Sequence, residues 1–181
     1  MIADAFGPFA ASHFRLKSAT EAWEREGAAA LRRRVFCDEQ KIFEGDDRDA
    51  VDATAIHLVA LSTMAVLSDE VVGTVRIHEV EPGTWYGSRL AVDVRYRRVG
   101  ALGAALIRLA VSSANAIGCS RFYGNIQAQN ELMFRRLSWT RVSEIELHGV
   151  PHVLMQADLA AYPPLANAPD GFHAIAARAA A

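Results

Sequence analysis

The first clear pattern along the chain is an alternation. In His13-Phe14-Arg15-Leu16-Lys17 apolar and polar positions exchange every residue, the period of a strand with one face buried, and it reads as an edge strand. The period then lengthens. Thr20-Glu21-Ala22-Trp23 offers an N-cap, and Ala28, Leu31 and Val35 recur at three- and four-residue spacing, which predicts a helix near 20–38. Glu44-Gly45-Asp46-Asp47-Arg48-Asp49 interrupts this as a polar loop. Apolar runs at Ile56–Ser62, Val71–His78 and Trp85–Asp93 predict three strands, the last two separated by the turn Glu81-Pro82-Gly83-Thr84. Leu102, Leu106, Leu109, Ser113 and Ile117 then share one helical face that stops at Gly118. Arg121–Ile126 reads as a strand and Asn130–Leu137 as a short helix. Trp139–Leu147 and Pro151–Ala157 read as a hairpin about His148-Gly149-Val150-Pro151. Residues 162–181, with Pro163-Pro164, Pro169, Gly171 and an alanine-rich end, read as a weakly ordered tail.

The order β-α-β-β-β-α-β-α-β-β predicts an α/β fold (α+β, mixed sheet) rather than a doubly wound one, in one domain over about 11–160 with 161–181 as the tail. The chain has 181 residues, enough for a core without metal or disulfide, and its 22% charged content is ordinary for a globular protein. A net charge of −2 speaks against a general nucleic-acid binder. Positive charge is nonetheless clustered, at Arg32-Arg33-Arg34, at Arg95, Arg97 and Arg98, and at Arg135-Arg136. Cys37 and Cys119 are far apart with no CxxC, which suits a reducing, cytoplasmic setting. No apolar run approaches the ~18 residues of a membrane span, and the first residues have no signal-peptide pattern.

The segment Ser88–Ile107 carries the most chemistry. An apolar strand runs into a group of arginines, a small-residue turn follows, and a helix begins. The first N–H groups of a helix have no intrahelical partner and its dipole favours an anion, so a strand feeding an Arg/Gly turn there is a cradle for phosphate. The pattern is Arg98-x-x-Ala101-x-Gly103, with Arg97-x-x-Gly100 as an overlapping register.

Leu90-Ala91-Val92-x-x-x-Tyr96-Arg97-Arg98 followed by Leu102-Gly103-Ala104-Ala105-Leu106-Ile107 resembles the acetyl-CoA-binding motif of the GNAT N-acetyltransferases, Q/R-x-x-G-x-G/A at the start of a helix. Gln127-Ala128-Gln129-Asn130-Glu131-x-x-Phe134-Arg135-Arg136-Leu137-Ser138-Trp139 resembles the second signature of that family. The likeness extends over roughly residues 13–158. It implies a central, mostly antiparallel sheet flanked by helices and transfer of an acetyl group from acetyl-CoA, or another acyl-CoA, to a small-molecule amine. It also implies direct transfer in a ternary complex, and a homodimer as one assembly. By this resemblance the cofactor lies on Leu90, Ala91 and Val92, on the turn Arg97, Arg98, Val99, Gly100, Ala101, Leu102, Gly103 and Ala104, and against Asn130. A Val92 N–H is the candidate to polarise the thioester carbonyl.

The chemistry needs an amine freed of a proton, an oxyanion held and a thiolate released. Candidate bases are Glu79 and Glu81 near the turn after the third strand, with Glu39 on the first helix as another. Phe134 stands where many relatives carry a tyrosine that protonates the leaving thiolate, and Tyr123, Tyr96 or a water are the substitutes. Phe36, Glu39, Arg76 and Arg89 are the expected acceptor-side residues. The loop Asp46–Asp52 lacks calcium-loop spacing and reads as a solvated loop or as an acidic rim for a cationic amine. Phe36, Asp46, Asp49, Asp52, Arg76 and Ser88-Arg89-Leu90-Ala91-Val92 also resemble the acyl-homoserine-lactone synthases, although the acid those carry before Ser-Arg falls near Tyr86 here. A third reading is a catalytically degenerate module that only binds acyl-CoA. The histidines have no helical H-x-x-x-H pair, so no metal site is expected.

Overall fold

The computed structural model describes residues 11–64, 67–98 and 101–175. Eight strands among them form one open sheet: β1 His13–Ser18, β2 Ile56–Met64, β3 Leu67–Glu81, β4 Thr84–Val92, β5 Arg121–Gln127, β6 Trp139–Leu147, β7 Val150–Ala157 and β8 Phe172–Ile175. Three helices flank it: α1 Ala22–Arg33, α2 Leu102–Ala116 and α3 Glu131–Arg136. The strand order is β6-β7-β5-β4-β3-β2-β1-β8. The β4–β5 pair is parallel and the others are antiparallel. This follows from the chain order: hairpins join β2, β3 and β4, whereas β4 reaches β5 through the crossover helix α2.

Alternation along the central strands sends apolar side chains to both faces, so there are two cores. Leu58, Ala60, Val75 and Ile77 pack with Leu102, Leu106 and Leu109 of α2. Val59, Leu61 and Val71 pack with Ala28 and Leu31 of α1. The first helix ends earlier than its spacing predicts. Beyond Arg33 the backbone widens into a π-type turn, Arg34–Glu39, where the Gln40 N–H reaches the Val35 carbonyl at 3.0 Å. At its other end Glu24 accepts from the Thr20 and Glu21 N–H groups and pairs at 2.6 Å with buried Lys17, which clips α1 to β1.

The expected edge strand and the expected tail are one correction. β1 is not an edge, because residues 172–175 return to pair with it (His13↔Ile175 to Leu16↔Phe172). Gly171 makes this possible: its φ is +63°, and a Cβ there would lie 1.7 Å from the Leu16 carbonyl oxygen. Tyr162 is also buried, and its hydroxyl bridges the Leu137 carbonyl and the Trp139 indole N–H. The intervening prolines break the strand and helix periods, which gave the segment its tail-like reading.

Candidate active site

The site arises from a split in the sheet. β4 and β5 pair only from Thr84↔Arg121 to Gly87↔Gly124, although β4 continues to Val92 and β5 to Gln127. Beyond the split β4 stays with β3, and β5 stays with β7 as far as Gln127↔His152. The strands therefore diverge, and a cavity of about 480 Å³ opens between them. Its walls differ on the two sides of the sheet. Ile107, Ala110 and Val111 of α2, with Phe122, Ile126, Phe134 and Trp139, make an apolar half. Phe36, Phe43, Arg76, His78, Tyr86, Ser88 and His148 line the half on the α1 side.

At the mouth of the split β4 carries a bulge. Between the pairs Thr74↔Ala91 and Arg76↔Ser88, β3 advances two residues and β4 three, so an extra residue falls at Arg89–Leu90. Arg89 has a left-handed φ of +55°. A bulge leaves one residue out of the ladder and can aim its backbone groups into the cleft. Of the β4 positions expected against the cofactor, Leu90 lines the cavity. Ala91 is packed in the α1-side core, and Val92 packs on the α2-side core. Val92 stands opposite Gly73, but it is the next residue, Asp93, that donates its N–H to β3, to the Val72 carbonyl at 2.9 Å, so the backbone groups of Val92 face away from β3 toward the split, beside those of the bulge.

The strand-to-helix turn ends at Ala101, the N-cap of α2, with φ +49° and ψ +35° and no side-chain cap. The first intrahelical bond recorded is Ala105 N–H to Ala101 C=O, so the N–H groups of Leu102, Gly103 and Ala104 face outward at the positive end of the dipole. A Cβ on Gly103 would meet only Val92, at 4.0 Å, so internal packing does not require the glycine. The space it leaves lies above the helix start, where a diphosphate needs close backbone approach. Leu102 is buried and offers only its backbone. Arg97 donates to the Val92 carbonyl at 2.9 Å and pairs with Glu39 at 2.7 Å, whereas Arg98 is exposed and has no ion-pair partner among the described residues. Val99 and Gly100 lie outside the described residues. These features fit a CoA diphosphate on the α2 N-terminus and a pantetheine arm in the split, with Asn130 also on the cavity wall.

The acidic loop departs from both expectations. Asp47, Asp49 and Asp52 are neither a solvated loop nor a free acidic rim, because three arginines from three elements consume them. Arg32 of α1 reaches Asp47 at 2.7 Å and Asp52 at 2.5 Å. Arg76 of β3 holds Asp49 at 2.7 and 2.8 Å and Asp52 at 2.8 Å. Arg89 of β4 reaches Asp47 at 3.0 Å and Asp49 at 3.2 Å, and lies 4.4 Å over the Phe43 ring. Burial alone would raise the Asp52 carboxyl, but hydrogen bonds from Arg32, the Asp49 N–H and Arg76 outweigh it and hold the group well below the usual carboxylate range. Arg76 likewise depresses Asp49. Arg76 and Arg89 thus reach the cavity wall with their charges already matched, and Arg76 also donates to the Ser88 hydroxyl at 2.9 Å.

The carboxylates expected as bases are elsewhere. Glu79 accepts the Gly83 N–H at 2.8 Å, and Glu81 accepts from Thr84 at 3.2 Å and pairs with Arg121 at 3.3 Å. Both secure the β3–β4 turn and neither lines the cavity, although His78 and Val80 do; alternation along β3 sets Glu79 on the face opposite those two. Glu39 is bound to Arg97 outside the cavity. Tyr123 does not line it either, but its ring is 5.5 Å from that of Tyr86, which does. Tyr96 is buried against Phe14. Phe134 is buried edge-on against Trp139 at 5.0 Å, with no hydroxyl to offer.

His78, Tyr86 and Phe43 were not singled out by the sequence. Alternation could have placed the first two: Arg76, His78 and Val80 share one face of β3, and His78 lies opposite Tyr86 across the ladder. The His78 imidazole is held below its ordinary pKa, first by burial and then by the Arg76 charge. Cys37 has the opposite character to a reactive thiol, since burial and Asp47 push its pKa up.

The model of the acetyltransferase (GNAT) family matches residues 16–135, and the chain belongs to that family. None of the curated proteins matches the sequence significantly. Among solved structures, a candidate N-acetyltransferase from Lactobacillus plantarum is similar with a TM-score of 0.71 and 19% identity, over 81% of this chain and 98% of that one. ElaA of Escherichia coli gives 0.68 and 20%, over 80% and 98%. The acyl-homoserine-lactone synthase LasI gives 0.60 and 15%, over 83% and 91%. At these identities the likeness is one of fold.

Proposed function

We propose that this member of the GNAT acyltransferase family moves an acetyl group, or another short acyl group, from acyl-CoA directly to the amine of a small molecule. One observation carries the reading: the split between β4 and β5 opens a cavity walled by α2 on one side of the sheet and by aromatic and charged side chains on the other. A carrier lying along the α2 half brings its thioester to the bulge at Arg89–Leu90, and an acceptor in the α1 half meets it there. Acyl-CoA supplies an activated thioester carbonyl when bound. The α2 N–H groups and Arg98 hold the diphosphate, the apolar wall from Ile107 to Trp139 excludes water from the arm, and a bulge N–H polarises the carbonyl. Phe134 gives no proton to the departing sulfur. A thiol with an intrinsic pKa of ~8.5 leaves tolerably as thiolate near neutral pH, so the step proceeds without that help. Two buried free cysteines fit a reducing, cytoplasmic compartment.

Thermal unfolding with and without acetyl-CoA tests the carrier half. Ligand at ~100 times its dissociation constant adds ~2.7 kcal/mol of stability. Absence of a shift with acetyl-, propionyl- or longer acyl-CoA sinks the reading. Release of free thiol with an added amine separates an enzyme from a module that only binds acyl-CoA. A second reading, an acyl-homoserine-lactone-synthase-like reaction, is favoured by the Asp49–Arg76–Ser88 linkage beside Arg89. Turnover that requires acyl-carrier protein and S-adenosylmethionine in place of acyl-CoA and an amine identifies it.

A further inference from the structure

We propose that the α1-side half of the cavity accepts a primary amine carried on an uncharged apolar or aromatic body, and that His78 takes up the proton the amine loses. This rests on the reading of the α2-side half as the acyl-CoA half.

The charge arrangement comes first. No aspartate or glutamate is among the residues lining the cavity. The carboxylates considered for this site are engaged: Asp47, Asp49 and Asp52 with arginines, Glu39 with Arg97, and Glu79 and Glu81 with groups of the β3–β4 turn and Arg121. Among the described residues, the fixed charges on the wall are the guanidiniums of Arg76 and Arg89. A polyamine or lysine-rich peptide would have to bring further positive charge beside two guanidiniums whose carboxylate partners are already engaged, and would find no carboxylate left to pair with on this wall. The remaining wall is built for rings and alkyl surface. Phe43 meets His148 edge-on at 4.7 Å, and Phe36 and Tyr86 add further aromatic surface.

Three histidines line the cavity. His148 is exposed and meets Phe43 edge-on, and His152 is tied through Nδ1 to the Val150 carbonyl at 2.8 Å. His78 lies on β3 beside Arg76 and Tyr86, where it is the group taken to receive the proton. It lies across the ladder from Tyr86, with ring centroids 6.2 Å apart. Its Nδ1 is buried with no hydrogen-bond partner, which leaves Nε2 as the nitrogen for the cavity. The charged and titratable groups around it are Arg76 on its own strand, Asp49 from the loop, Tyr86 on β4 and Tyr123 on β5. Arg76 and burial keep the ring neutral, whereas Asp49 opposes them weakly. The neutral amine nitrogen attacks the thioester carbon and forms the C–N bond. The extra proton on that nitrogen passes to Nε2, the C–S bond breaks with its electron pair going to sulfur, and the thiolate takes up one proton as His78 returns one to solvent. The sum is amine plus thioester to amide plus thiol.

The test begins with acetyl-CoA binding by thermal shift, which checks the carrier reading alone. Free-thiol release is then followed with 2-phenylethylamine, tryptamine and hexylamine against spermidine, cadaverine and a lysine-rich peptide. The aromatic and alkyl monoamines are expected to turn over and the polycations not. In His78→Gln, kcat is expected to fall about a hundredfold, with the KM for the amine and the acetyl-CoA shift little changed. The acid limb of the pH–kcat/KM profile is expected to flatten. His78→Ala with added imidazole is the companion variant, and partial rescue is expected. A preference for polycations, no turnover of any monoamine by protein that binds acetyl-CoA, or an unchanged kcat in both variants overturns the inference. No acetyl-CoA binding overturns the carrier reading instead.

Discussion

The strand-to-helix turn on the α2 side of the cleft is built from neighbours in sequence, and the charged half from strangers. On the α2 side, the strand end, the turn and the helix start come from one stretch, Leu90–Val111, and local backbone geometry does most of the work. On the α1 side, Arg32, Asp47, Asp49, Asp52, Arg76 and Arg89 come from a helix, a loop and two strands, and only their mutual pairing neutralises them. A backbone cradle tolerates side-chain changes nearby. A buried charge cluster does not, because deleting one member leaves its partners uncompensated in a poorly solvated place.

The sharpest break in this comparison is Asp47→Ala. It strips Arg32 and Arg89 of a carboxylate that is itself only 1% exposed, and is expected to cost about 3–5 kcal/mol in urea unfolding. The neighbouring Asp46→Ala, at an exposed pair with Arg48, is expected to cost under ~1 kcal/mol. Equal effects would remove the distinction between a buried cluster and a solvated loop. On the other half, Arg98→Glu puts a like charge beside the diphosphate. It should weaken acyl-CoA binding by about 1.5–3 kcal/mol, roughly 10–100-fold, with the unfolding curve unchanged. Unaltered affinity in a calorimetric titration places the phosphate site elsewhere.

Acid acts on the charged half and on two ion pairs outside it. Asp49, Asp52, Asp93 and Glu24 all have carboxyls depressed in the folded state. Their contribution is complete above the ordinary carboxylate range near pH 4 and is lost as pH falls through the lower folded values. Stability measured between pH 6 and pH 2 should therefore decline toward acid, and Asp52→Asn should make that decline shallower. A mutant slope as steep as the parent's counts against Asp52 as a contributor. A smaller effect is expected at the cradle. Ala101→Gly removes a Cβ from a left-handed backbone and should raise stability by up to about 1 kcal/mol in thermal unfolding. Smallest of all, Glu81→Gln at the remote turn should leave both stability and turnover within about 0.5 kcal/mol of the parent. A large fall in turnover would return Glu81 to the chemistry.

The legibility of each half follows the same division. The strands from Ile56 onward, the α2 face of Leu102, Leu106 and Leu109, and the small-residue turn before it could be read directly, since period and turn chemistry are properties of contiguous residues. Glu79 and Glu81 were reasonable as carboxylates near a strand end, but they are tied to the β3–β4 turn, and only their neighbours His78 and Val80 line the cavity. Asp47 in a run of polar residues carries no local mark of burial. It is buried because Arg32 and Arg89 arrive from 15 and 42 residues away to meet it. β8 was hidden for a similar reason: four residues after a proline-rich stretch become a strand only because β1 offers an open edge and Gly171 permits the approach.

By itself the sequence determined the mixed α/β order, the helix N-terminus set up for an anion, and the missing hydroxyl at Phe134, because each is written within one segment. Tertiary structure alone decided that β4 and β5 part after Gly87, that the aspartates are matched by arginines, and that His78 lines the cavity. Those features depend on strand partners and on charges brought from distant positions, where free energy is set by pairing and desolvation across the fold and not by the order of residues along any one stretch.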